Sequence, residues 1–147
     1  MRRVVATGTF DIIHPGHIYY LEESRKLGDE LHVIVARDAN VRHKPKPVIR
    51  EEQRLRVVRA LRVVDFARLG DPSDMFRPIE EIDPAVITLG FNQHFSEEEL
   101  GRALKERGIG ARVERIGEYS GDPCSSTRKI IERILGTRGD PGRKGGS

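Results

Sequence analysis

The sequence predicts one α/β domain, a doubly wound, Rossmann-like parallel sheet of about five strands with helices on both faces. Three observations predict it. Short apolar, β-rich segments alternate with longer helix-like ones, the pattern that buries a parallel sheet between helices. The chain has 147 residues, the length of a single core. Capping and breaking residues also fall where those segments meet.

The first strand is expected at residues 4–7, closed by Gly8. A helix follows at 16–27, with Pro15 in the turn where a missing N–H is harmless. Gly28 stands at its C-terminal end. Strand 31–36, loop 37–47 and helix 51–61 come next, then strand 66–69. Helix 74–82 contains Pro78 and is expected to be short or broken. Strand 85–89 leads to helix 96–107, where Ser96 and Glu99 fit a capping box and Gly108 fits the C-terminal stop. Strand 112–116 and helix 126–135 complete the domain, 1–136. The Gly-rich stretch 137–147 is expected to be a disordered tail. Right-handed crossovers place ligands beyond the carboxyl ends of the strands. The loops after the first, second and fourth strands should therefore face one cleft.

Composition narrows the function classes. Charged residues are 33% and aromatics 5% of the chain. No apolar stretch reaches membrane-spanning length, and the run after Arg2-Arg3 is too short for a signal peptide, so a cytoplasmic location is expected. A single cysteine, Cys124, excludes an intrachain disulfide framework. The net charge is +3, of which three cations and one acid in the tail contribute +2. Bulk charge thus gives no sign of a nucleic-acid partner.

Four constellations carry chemistry. His14 and His17 flank Pro15-Gly16 and share one face of a helix start, where unpaired N–H groups favour a phosphate. Capping and surface histidines are the structural alternative; a zinc site lacks Cys or carboxylate ligands at a recognisable spacing. Arg42, Lys44, Lys46, Arg50 and Arg54 crowd a loop stiffened by Pro45 and Pro47, either as a triphosphate cradle led by Lys46 or as a solvated basic loop. Cys124-Ser125-Ser126-Thr127-Arg128-Lys129 enters the last helix, where hydroxyls cap it and can equally meet phosphate. Phe91-Asn92-Gln93-His94-Phe95 offers amides for a base or ribose and rings for stacking, or aromatics that pin the next helix.

Gly8-Thr9-Phe10-Asp11-Ile12-Ile13-His14-Pro15-Gly16-His17 resembles the signature of the cytidylyltransferase-like nucleotidyltransferases. Ser126-Thr127-Arg128-Lys129 resembles their second signature, and Glu52-Gln53-Arg54 and Arg62-Val63-Val64-Asp65 resemble segments between the two. The motifs stand in family order over residues 3 to about 135. Ala6-Thr7-Gly8-Thr9-Phe10, Val35-Ala36-Arg37-Asp38, residues 89–95 and residues 124–131 are most similar to archaeal-type FAD synthases. One departure is Gly121-Asp122-Pro123, where such relatives tend to carry a second cysteine.

The resemblance implies transfer of AMP from ATP to FMN, giving FAD and pyrophosphate by direct in-line attack at the α-phosphorus. It implies that His14 and His17 contact the α- and β-phosphates, with N–H groups of Thr9 and Phe10 and the Pro15-Gly16 turn adding to the cradle. Lys46 and Arg128 would hold phosphates, Ser126 and Thr127 would assist at the helix start, and Arg54 and Arg115 would complete the cage. Asn92 would meet the nucleotide and Tyr119 would lie beside the base. Mg²⁺ would bridge the phosphates, with Asp11 a ligand through water or a turn-stabilising carboxylate. A homodimer is the expected assembly. The same phosphate-handling motifs also suit a CTP-dependent cytidylyltransferase acting on glycerol 3-phosphate or another alcohol phosphate. A non-catalytic nucleotide sensor would be expected to have lost one of His14, His17, Lys46 or Arg128, and all four are present.

Overall fold

The computed structural model describes residues 1–42 and 45–138. Five strands form one all-parallel sheet in the order β3-β2-β1-β4-β5: β1 (Arg3–Gly8), β2 (Glu30–Val35), β3 (Phe66–Leu69), β4 (Val86–Leu89) and β5 (Arg112–Arg115). The helices are α1 (Pro15–Arg25), α2 (Glu51–Arg59), α3 (Arg77–Ile82), α4 (Glu97–Glu106) and α5 (Thr127–Thr137). This is the doubly wound α/β architecture the alternation predicts.

Alternate residues of each strand feed two apolar layers. Val4, Ala6, Leu31, Val33 and Val35 pack with Tyr20 and Leu21 of α1 and Val58 of α2. Val5, Ile34, Ile87 and Leu89 pack with Ile79 and Ile82 of α3 and Leu100 and Leu104 of α4. Pro78 falls in the first turn of α3, so that helix begins at Arg77 instead of Asp74. Ser96 caps α4 by accepting the Glu99 N–H at 3.0 Å. Gly108 takes a positive φ of 75° after α4, as a C-terminal stop requires. Gly28 serves otherwise: a Cβ there would sit 2.5 Å from the Arg2 carbonyl oxygen, so it permits a close backbone approach. The helix α5 runs to Thr137, the first residue expected in the tail; residues 139–147, like Lys44 of the basic loop, lie outside the described residues.

Strand order reverses between β1 and β4. β1 pairs with β2 over six residues, Arg3↔Glu30 to Gly8↔Val35, but with β4 over three, ending at Ala6↔Thr88. The loops after β1 and β4 part at this switch point, where doubly wound sheets bind ligands.

Candidate active site

The segment from β1 to α1 is bent into an uncommon backbone. Phe10 (φ 57°) and Ile12 (φ 45°) are left-handed although neither is glycine. Such residues cost roughly 1–3 kcal/mol each and persist only where the surroundings hold them. Phe10 is buried, its ring 5.4 Å from that of His17 and 6.4 Å from that of Tyr20. Asp11 is buried, and its carboxylate accepts the N–H groups of Val48 (2.8 Å) and Ile49 (2.9 Å). Its carbonyl accepts the Thr127 hydroxyl at 2.5 Å. One residue therefore ties together the first signature, the loop ahead of α2 and the start of α5.

His14 is the N-cap of α1. Its Nδ1 accepts the Gly16 N–H at 3.0 Å, while His17 Nδ1 accepts the His14 N–H at 3.3 Å, a reciprocal capping box. The rings stack with centroids 3.8 Å apart. An Nδ1 that accepts is unprotonated, so each neutral ring carries its proton on Nε2. Burial pushes the His14 pKa below its ordinary 6.5, which favours that neutral form. The pair thus presents Nε2–H donors beside the positive end of a helix dipole.

The second signature meets the first at Gly16. A Cβ there would lie 2.7 Å from the Ser125 carbonyl oxygen and 2.8 Å from His14 Cε1. Ser126 caps α5 through the Lys129 N–H at 3.2 Å. The Arg128 side chain is 80% exposed, its guanidinium 4.0 Å from Glu132, so it can swing onto an anion at little cost.

Several cations stand otherwise than a phosphate cage would need. Arg54 is 1% exposed and donates to the carbonyls of Ile49, Thr9 and Ala36 and to the Asp38 carboxylate. It is a buried tie between the ends of β1 and β2, and its guanidinium holds the Asp38 carboxyl below the usual range. Lys46 donates to the carbonyls of Asp38 (2.9 Å) and Val41 (3.1 Å) within its own loop. Arg115 bonds the carbonyls of Gly90, Gln93 and Phe95 and the Glu97 carboxylate, clamping loop 90–95 to the sheet.

Phe91, Asn92 and Phe95 of that loop are exposed, whereas Gln93 turns inward to Thr7 and Gly90. Tyr119 stands across the helix start. Its ring is 5.4 Å from that of Tyr19, and its hydroxyl donates to Asp122, which raises its pKa. A concavity of about 490 Å³ lies here, lined by Ile13, His14, Pro15, Ile18, Tyr19, Glu22 and Tyr119. No group of three or more His, Cys, Asp or Glu among the described residues could hold a metal ion, and the Asp11 carboxylate is engaged by two backbone N–H groups. Among the described residues no helix is long and apolar enough to cross a membrane.

Known proteins are similar to this chain in sequence and fold. The sequence model of the cytidylyltransferase-like family matches residues 5–133. The chain belongs to the cytidylyltransferase-like family. Within it, the chain is 70% identical over 141 residues to the FAD synthase of Methanoculleus marisnigri, covering 96% of this chain and 94% of that one. It is 67% identical over 135 residues to the FAD synthase of Methanolacinia petrolearia, covering 92% and 91%. Among solved structures, the lipopolysaccharide core biosynthesis protein of Thermoplasma volcanium superposes with a TM-score of 0.79 at 48% identity, over 82% of this chain and 99% of that one.

Two features of this cytidylyltransferase-like site had no signal in the sequence. The Ser125 carbonyl enters it through the backbone. The Tyr20 hydroxyl is buried and bonds Thr7 and Thr88, and burial pushes its pKa up to about 12.

Proposed function

We propose that this chain transfers AMP from ATP to FMN, releasing pyrophosphate and forming FAD. The relatives named FAD synthase at 70% and 67% identity support the substrate pair. The single observation that carries the chemistry is the stacked His14/His17 pair at the start of α1, against which the Ser125 carbonyl closes. A phosphate oxygen of FMN attacks the α-phosphorus, a new P–O bond forms, and the bond to the bridging oxygen breaks as pyrophosphate leaves. That oxygen is already anionic at neutral pH, so no protein nucleophile is needed. The difficulty is bringing anion to anion while charge grows on the α-phosphate and the bridging oxygen.

In this reading the Nε2–H donors of His14 and His17 and the N–H groups of the β1–α1 turn, Thr9 and Phe10 included, meet the α- and β-phosphates. Arg128, from the exposed start of α5, closes on the triphosphate. The base lies in the concavity between Tyr19 and Tyr119, and the flavin approaches from the side of Phe91 and Phe95. Lys46 reaches phosphate only by leaving its two carbonyl partners. A divalent cation such as Mg²⁺ would come bound to the nucleotide, since the Asp11 carboxylate is engaged by two backbone N–H groups, and it would supply charge neutralisation at the phosphates. Both substrates and the lone cysteine suit the cytoplasm.

Pyrophosphate release from a panel of nucleotides and acceptors tests this function. Release from ATP with FMN is expected to exceed that from CTP with glycerol 3-phosphate. The reverse order would overturn the assignment.

A further inference from the structure

The β1–β4 ladder stops one rung early, and side chains stop it. With Ala6 opposite Thr88, the next rung of a parallel ladder would run from the Gly90 N–H to the Thr7 carbonyl. That bond is not made. The Gly90 N–H donates to Gln93 Oε1, and Gln93 Nε2 reaches the Thr7 hydroxyl at 3.3 Å. The Tyr20 hydroxyl stands at the end of the ladder instead, 3.1 Å from Thr7 N, 3.2 Å from Thr7 O and 2.9 Å from Thr88 O. The other flanks of the gap stay zipped: Ala36 N–H bonds Gly8 O at 2.9 Å, and Ile116 N–H bonds Leu89 O at 2.8 Å. The sheet therefore opens between β1 and β4, where the signature loop and loop 90–95 diverge.

Tyr20 sits three residues after His17, so the two share a face of α1. Phe10 packs against both rings. The hydroxyl thus fixes how far the start of α1, with its two histidines, stands from the ends of both strands. Thr88 Oγ1 and Ser24 Oγ buttress it, 2.8 Å from each other, with Thr88 Oγ1 3.2 Å from the phenol oxygen.

We propose that Tyr20 is a positioning residue whose hydroxyl, together with the Gln93 amide that holds the Gly90 N–H, ends the β1–β4 ladder early, holding apart the histidine-bearing helix start and loop 90–95 at the spacing that in-line transfer needs. This rests on the nucleotidyl-transfer reading above. Reactive groups misplaced by about 1 Å lose on the order of a hundredfold in rate. A shifted spacing would spare nucleotide binding, because the donors on α1 move as one body.

The test compares Tyr20→Phe and Ser24→Ala with the wild-type chain at a temperature well below unfolding, using FMN and ATP and reading kcat, the ATP KM and the melting midpoint. A wild-type chain that releases no pyrophosphate would sink the reading of function, a result distinct from any that bears on Tyr20. With an active wild type, Tyr20→Phe is expected to lower kcat roughly ten- to a hundredfold while the ATP KM stays within about twofold. Ser24→Ala perturbs the same buried cluster but leaves the hydroxyl in place, so it should lower the midpoint and keep kcat. Should Tyr20→Phe not fold, Gln93→Leu decides: it releases the Gly90 N–H to make the missing rung from a partly exposed position, and the same kcat-selective loss is expected. A kcat within twofold of wild type in the folded variant, or an equal loss in Ser24→Ala, would overturn the proposal.

Discussion

Substituting Gly16 by alanine presses directly on the joint between the two signatures. The new Cβ would stand 2.7 Å from the Ser125 carbonyl oxygen, where ordinary contact begins at 3.4 Å. A backbone carbonyl cannot swing aside as a flexible side chain can, so the loop before α5 must retreat by about 0.7 Å, or the His14 ring must leave the Gly16 N–H. Overpacking of this kind costs about 1–3 kcal/mol. The gain in helix propensity from glycine to alanine offsets at most about 1 kcal/mol. With that offset taken in full, about 0–2 kcal/mol of destabilisation remains, lowering the melting midpoint by up to about 8 °C for a domain of this size. The same retreat should lower kcat roughly ten- to a hundredfold, since about 1 Å of misplacement is worth a hundredfold. Thermal melts by circular dichroism and steady-state pyrophosphate release read both effects. A Gly16→Ala variant with unchanged midpoint and unchanged kcat would refute the close approach of Ser125 to α1, and with it the joint site.

His17→Ala should lower kcat by roughly 10²–10³ with nucleotide affinity little changed, as loss of one preorganised donor does; a fall of less than tenfold would show that His17 is not a phosphate donor in the transition state. His14 has a lowered pKa in the folded chain, so the unfolded chain binds the extra proton first on acidification. Its contribution to stability should be full above about pH 6.5 and decline as the pH drops toward the lowered folded value, because charging the partly buried ring costs desolvation. Urea midpoints between pH 5 and 8 check this, and a midpoint rising on acidification would contradict it. Arg54→Met should destabilise by about 3 kcal/mol, the low end for breaking a buried pair, because the Asp38 side chain it abandons is 40% exposed and stays hydrated. A loss under about 1 kcal/mol by urea titration would show that Arg54 does not tie β1 to β2.

Much of the fold was legible because its signals are local. Alternation of segments, Pro78, Ser96 and Gly108 act within a few residues of themselves, and each did what its chemistry dictates. The placing of the candidate site was legible where a residue is set by its position on a helix start, as His14, His17, Ser126 and Thr127 are. It was not legible where a long cation chooses among distant partners. The resemblance implies that Arg54 and Arg115 complete a phosphate cage, but the carbonyls that claim them come from strand ends brought together by the sheet. The role of Gly28 was hidden for the same reason, since Arg2 approaches it only once β1 and β2 pair. Tyr20 carries no mark in the sequence because its partners, Thr7 and Thr88, lie 13 and 68 residues away.

Flavin fluorescence followed during incubation of the purified chain with FMN, ATP and Mg²⁺ reads adenylyl transfer to FMN itself, because adenine stacked on the ring of FAD quenches it. FAD synthesis by this chain should give a fall in emission that tracks pyrophosphate one for one. Steady emission, with pyrophosphate released only from CTP and an alcohol phosphate, would contradict it.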